Sequence, residues 1–138
     1  MKKLLIATTN PGKLAEIQRF LRDVPLELVS LKDVGITTSI EETGATFEEN
    51  AILKAKTYAE ASDLMTLADD GGFEIDALDG APGVKSHRWV HSDRDSTDEE
   101  LIAYTFTRMK DVPEKKRGAR LTLVLACLLY TSDAADEE

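Results

Sequence analysis

The stretch LADDGG, residues 67–72, sets two carboxylates, Asp69 and Asp70, between an apolar run and two glycines. Adjacent carboxylates divide labour when their surroundings differ: one holds a hard cation while the other takes a proton from water. The run LMTLA (64–68) reads as a short buried strand and the glycines as its turn, so the pair is expected at a strand's end. In α/β sheets ligand chemistry gathers there. Gly71 and Gly72 permit close approach by backbone or ligand. A second stretch, ATTNPGK (7–13), joins a strand to a helix. Asn10 is a favoured N-cap and Pro11 suits the first helical position. The exposed N–H groups and positive dipole end there make an anion site, to which Lys13 adds a full charge and Thr8 a hydroxyl. It is not a Walker A loop, since G-x-x-x-x-G-K-[ST] is absent. A third stretch, EETGATFEENAILKAK (41–56), places Glu41 and Glu42 before a helix that carries Lys54. Carboxylates beside a phosphate site are natural ligands for Mg²⁺. Taken singly, these are a capped helix, a solvated acidic loop and an acidic turn. Together in one small chain they point to phosphate and metal chemistry.

The elements that position these residues alternate in type. KLLIAT (3–8) and LELVSL (26–31) read as strands, and residues 10–23 as a helix with Leu14, Ile17 and Leu21 on one face. A polar loop follows to Gly44. Residues 46–62 read as a second helix, in which Thr46 and Glu49 have capping-box spacing. Its Phe47, Ala51, Ala55 and Tyr58 form a buried stripe, and Thr46, Asn50 and Lys54 a separate polar one. After a strand at 64–69, FEIDALDG (73–80) is a strand or hairpin arm, 97–112 a third helix and ARLTLVLA (119–126) a closing strand. The pattern is α/β with mixed strand directions, without repeats, low-complexity segments or linkers.

The 138 residues have the length of one domain, and 42% hydrophobic content is enough for a core. A net charge of −9 argues against a broad basic face for nucleic acid. No apolar run is long enough to span a bilayer, and MKKLLIATT is too short for a signal peptide. A single cysteine rules out a disulfide framework and favours a cytoplasmic setting. CLLYTSDAADE (127–137) reads as the translation of a sequencing-adapter end, so residues 127–138 are expected to be a non-native tail following a native part, 1–126. That tail contains Cys127 and four of the carboxylates.

TTNPGK (8–13), EETGATFEENAILKA (41–55), ADDGGFEIDALDGAPGVKSHR (68–88) and RGAR (117–120) together resemble the inosine triphosphate pyrophosphatase (Ham1-like) family. The likeness runs in order from residue 2 to about 126. It implies hydrolysis of non-canonical purine nucleoside triphosphates (dITP/ITP, XTP) to the monophosphate and pyrophosphate, with Mg²⁺ as cofactor. It also implies an elongated mixed sheet flanked by helices, in two lobes with a central cleft, and a homodimer; charge and hydropathy, as above, argue against nucleic acid and membrane as partners. Residue by residue, Thr8, Asn10 and Lys13 fall on the triphosphate-binding element, Glu42 on the metal-binding glutamate and Lys54 on the helical lysine. Asp69 and Asp70 fall on the paired aspartates of the metal site, with Asp70 as general base. Gly71 stands at a substrate-contacting position where the family usually has Ser. The family's GYDP segment and late Ser-His-Arg motif are not found, and SHR at 86–88 belongs to A-P-G-x-x-S-x-R instead. The C-terminal part of the family domain is therefore expected to be missing and the chain itself inactive. The alternatives are a non-catalytic nucleotide-binding module and a Maf-type nucleotide pyrophosphatase.

Overall fold

The computed structural model describes residues 1–129. The elements are β1 (Lys2–Ile6), α1 (Pro11–Phe20), β2 (Leu26–Ser30), α2 (Phe47–Ser62), β3 (Met65–Ile75), α3 (Asp98–Met109) and β4 (Ala119–Leu128). The sheet order is β2-β1-β3-β4. β1 runs parallel to β2, with Leu5 opposite Val29, and parallel to β3, with Leu5 opposite Thr66. β4 runs antiparallel to β3: Leu123 lies against Gly71, Arg120 against Glu74 and Gly118 against Asp76. The chain is thus α/β with a mixed sheet. It divides into two units, Met1–Asp70 with Val124 onward, and Gly71–Leu123.

In the first unit Leu5, Ala7, Val29, Leu31, Ala55, Tyr58 and Ala68 form one buried cluster. Side chains alternate along a strand, so Leu5, Val29 and Ala68 share one sheet face, and α2 covers it. The alanines Ala51, Ala55 and Ala59 are at most 2% exposed, and their small side chains let the helix lie close to the sheet. Thr46 caps α2 by accepting from the Glu49 N–H, as its position predicts. Glu49, however, accepts from Ala45 N–H instead of Thr46 N–H, so the expected box closes one residue early. The loop before α2 is less polar in practice than its sequence suggests, because Val34, Ile36 and Ile40 pack against the core. α1 stops at Phe20, short of the expected 23, and its Leu14, Ile17 and Leu21 are only half-buried.

In the second unit the structure corrects one expectation. Gly71 and Gly72 do not turn the chain; β3 continues through them to Ile75. A Cβ on Gly71 would run into the Thr122 carbonyl and lie 3.0 Å from Leu123 Cδ1, so glycine here admits a neighbouring strand. The turn comes at Asp79 and Gly80, both at positive φ. α3 opens on a complete capping box, Thr97 with Glu100. Arg117 donates to its last carbonyl, Met109 O, and to Val112 O just beyond the helix, each at 2.9 Å. β4 extends to Leu128, two residues past the expected end. Of the expected tail, residues 130–138 lie outside the described residues.

Candidate active site

Asp69 and Asp70 lie inside β3, at 3% and 8% exposure. Neighbouring residues of a strand point to opposite faces, and this decides which partner each carboxylate meets. Asp70 shares the face of Ala68 under α2, and Asp69 faces the other way. Lys13, in the first turn of α1, places its Nζ 2.6 Å from Asp69 Oδ2. Lys54, on α2, places its Nζ 2.6 Å from Glu42 Oε2 and 3.8 Å from Asp70 Oδ1. The five charged candidates therefore form two groups, Lys13 with Asp69, and Lys54 between Glu42 and Asp70.

The α1 start differs from the expectation in a way that bears on anions. Asn10 Oδ1 accepts from Gly12 N–H at 2.8 Å and Lys13 N–H at 3.2 Å, while Pro11 has no N–H to offer. The first-turn donors are thus already used. What remains for an anion is carried by side chains: the Asn10 amide N–H₂, turned outward because Oδ1 faces the helix, the Lys13 ammonium and the Thr8 hydroxyl. Thr8 Oγ1 accepts from Asn10 N–H at 3.1 Å, which leaves its proton free to donate.

Burial pushes the Asp70 carboxyl upward, and the neighbouring Glu42 carboxylate pushes it further; Lys54 and the Asn50 amide act in the opposite direction. Two carboxylates sharing one ammonium leave a negative charge uncompensated, and all their donor atoms are oxygen. Such a set fits a hard divalent cation. Among the described residues no three His, Cys, Asp or Glu side chains gather closely enough to cage an ion. Mg²⁺ does not require a cage, since it commonly takes one or two carboxylates and completes its shell with water and phosphate. Glu42 and Asp70 are the pair placed to do this, and Asp69, on the other face with Lys13, is not grouped with them. Gly71 is packed against Thr122 and Leu123 on the side where a side chain would be.

A sequence model of the Ham1 family matches residues 4–137. The chain belongs to the Ham1 family. It is 42% identical over 133 residues to the dITP/XTP pyrophosphatase of Yersinia pseudotuberculosis, covering 96% of this chain and 66% of that protein. The enzyme of the same description from Escherichia coli K12 is 44% identical over the same shares. The one from Bacillus subtilis is 43% identical over 91% of this chain and 63% of its own length. Among solved structures, a HAM1 protein from Coxiella burnetii superposes with a TM-score of 0.84 at 37% identity, covering 94% of this chain and 64% of that one. This Ham1-family chain thus spans just under two thirds of the length of these relatives. Among the described residues no helix is long and apolar enough to cross a membrane.

Two residues at the Glu42–Asp70 group were not singled out as site residues from sequence. Asn50 is 1% exposed and accepts from Gly44 N–H through Oδ1 at 2.7 Å. Tyr58, assigned to the core stripe, donates its hydroxyl to Thr38 O at 3.1 Å. Burial and the nearby Glu42 charge hold the Tyr58 phenol above its ordinary range. The signal for both was the i, i+4, i+8 series Asn50, Lys54, Tyr58, which places them along one stripe of α2.

Proposed function

We propose that this chain carries the phosphate- and metal-handling part of an enzyme that hydrolyses non-canonical purine nucleoside triphosphates, ITP or dITP and XTP, to the monophosphate and pyrophosphate. The observation that carries the reading is Lys54 standing between Glu42 and Asp70, 2.6 and 3.8 Å away. The names of the relatives agree with it. In this reading the Lys13 ammonium, the Asn10 amide and the Thr8 hydroxyl bind triphosphate oxygens. Asp69 keeps Lys13 in place through one of its three N–H donors. Lys54 carries positive charge to the phosphate beside Asp70. Asp70 accepts a proton from the water that attacks the α-phosphorus; the upward push from burial and Glu42 makes it a stronger base than an exposed aspartate. Glu42 and Asp70 are the residues that would hold Mg²⁺, which when bound neutralises charge on the phosphates. A homodimer and a cytoplasmic setting belong to the same proposal, by family resemblance and cysteine usage; sedimentation tests the first.

The test is release of pyrophosphate from ITP, XTP and the four common nucleoside triphosphates, with Mg²⁺ and with EDTA, by the 138-residue chain and by the same chain extended with a C-terminal segment of a Ham1-family relative. The expected result is metal-dependent pyrophosphate release from ITP and XTP above the common purines by the extended protein, and little or none by the chain alone. Binding without turnover would favour the non-catalytic module, and preference for other nucleotides would favour Maf-type chemistry. Release of orthophosphate in place of pyrophosphate would overturn the assignment.

A further inference from the structure

Asn50 presents a puzzle of composition. Its neighbours on the buried side of α2 are Ala51 and Ala55, yet it is among the largest side chains of the described residues that are fully buried, together with Leu5, Ile6 and Thr66. A buried amide costs free energy unless its donors and acceptor are used. Its acceptor is used: Oδ1 takes the Gly44 N–H at 2.7 Å. A backbone N–H only donates, so this bond settles the orientation of the amide and leaves Nδ2 as the opposite end. One amide therefore fastens the loop of Glu42 to α2 through its oxygen.

Gly44 is shaped for this contact. A Cβ there would lie 2.7 Å from Asn50 Oδ1 and 2.8 Å from Glu49 Cβ, so the close approach of the loop to α2 requires glycine. Glu42 is two residues upstream, and its carboxylate reaches Lys54 one turn beyond Asn50. The same loop is tied to α2 at Ala45, by Glu49, and at Thr38, by Tyr58. Of these ties, the one at Gly44 is the nearest to Glu42 along the chain.

Resting on the function proposed above, we propose that Asn50 is a positioning residue: it clamps Gly44 to α2 and so holds the Glu42 carboxylate beside Lys54. Aspartate keeps an acceptor for the Gly44 N–H, whereas leucine keeps the volume but has none.

Amide exchange tests the clamp without reference to activity: the Gly44 amide hydrogen should exchange slowly in the wild type and in Asn50→Asp, and fast in Asn50→Leu. Kinetics of the extended protein test the consequence: Asn50→Leu should lower kcat for pyrophosphate release from ITP by about 10- to 100-fold with KM little changed, the scale found for groups that orient site ligands, and Asn50→Asp should retain more of it. Gly44→Ala disturbs the clamp without altering Asn50, so it should lower kcat too, and combining it with Asn50→Leu should cost less than the product of the two single effects. Unchanged Gly44 exchange in Asn50→Leu, or a kcat for Asn50→Leu within twofold of wild type, would each overturn the proposal. Absence of turnover in the extended wild type would instead overturn the functional reading, with Gly44 exchange still deciding the clamp.

Discussion

A carboxyl held in a buried, negatively charged setting serves function at the expense of stability, and Asp70 illustrates the sign. Its folded pKa lies above the unfolded value, so protonation favours the folded state. The favourable contribution is fully present below the unfolded pKa and is lost as pH rises through the folded one, leaving a cost at neutral pH. Asp70→Asn removes the charge and should raise the thermal midpoint at pH 7, with the gap to wild type closing as pH falls into the carboxylate range. The same change should lower turnover by about 10²-fold or more, since the amide takes up no proton, while nucleotide affinity changes little. Calorimetric scans across pH and pyrophosphate release check the two halves. Lys13 carries the opposite expectation. Asp69 is 3% exposed and Lys13 lies 2.6 Å from it, so Lys13→Met leaves a buried carboxylate without its partner. Urea denaturation should show a loss of about 1–3 kcal/mol, and titration calorimetry a weaker affinity for the triphosphate. Adding Asp69→Asn should recover part of the stability but none of the affinity.

Among elements, β1 and α3 depend on different forces. β1 lies between β2 and β3 and is held by burial; Leu5 is 0% exposed and belongs to the core cluster. Leu5→Ala should cost about 2–5 kcal/mol, the range for truncation of a buried leucine, measured as a lower urea midpoint with little change in slope. α3 has one buried residue, Met109, and relies more on its ends. Thr97→Ala removes the hydroxyl that accepts from the Glu100 N–H, leaving the other bond of the capping box to the backbone, and should cost about 0.5–2 kcal/mol. The helices were legible because their signals are local: Thr46, Thr97 and Asn10 stand beside the turns that they cap, and the stripe Phe47, Ala51, Ala55, Tyr58 is buried throughout. The extent of β3 was not legible. A pair of glycines is a local turn signal, and the strand that overrides it, β4, lies about fifty residues further along the chain.

Across the whole of the described chain, β4 stands at an edge of the sheet order with alternate leucines outward. Leu121, Leu123 and Leu125 are 82%, 59% and 56% exposed. An edge strand with an apolar exposed row is a template for pairing with other chains. The 138-residue protein should therefore show concentration-dependent light scattering, and the triple change of these leucines to Thr should reduce it. Thr is β-branched and suits a strand while removing much of the apolar surface. Equal scattering by both proteins would remove β4 from the account.

The residue types and their spacing along the chain already determined the α/β class, the Asn10 cap, the α2 stripe and the list of acidic and basic candidates, because each depends on neighbours within a turn or two. What only the tertiary structure decided is the grouping of those candidates. Asp69 and Asp70 are adjacent in sequence yet point to opposite sides of β3, so one meets Lys13 and the other meets Lys54 and Glu42. Asn50 is likewise unremarkable on a polar stripe until the loop at Gly44 folds onto it. Strand alternation and loop closure act between segments that are far apart in sequence, and no local pattern records which side of a strand a distant lysine will reach.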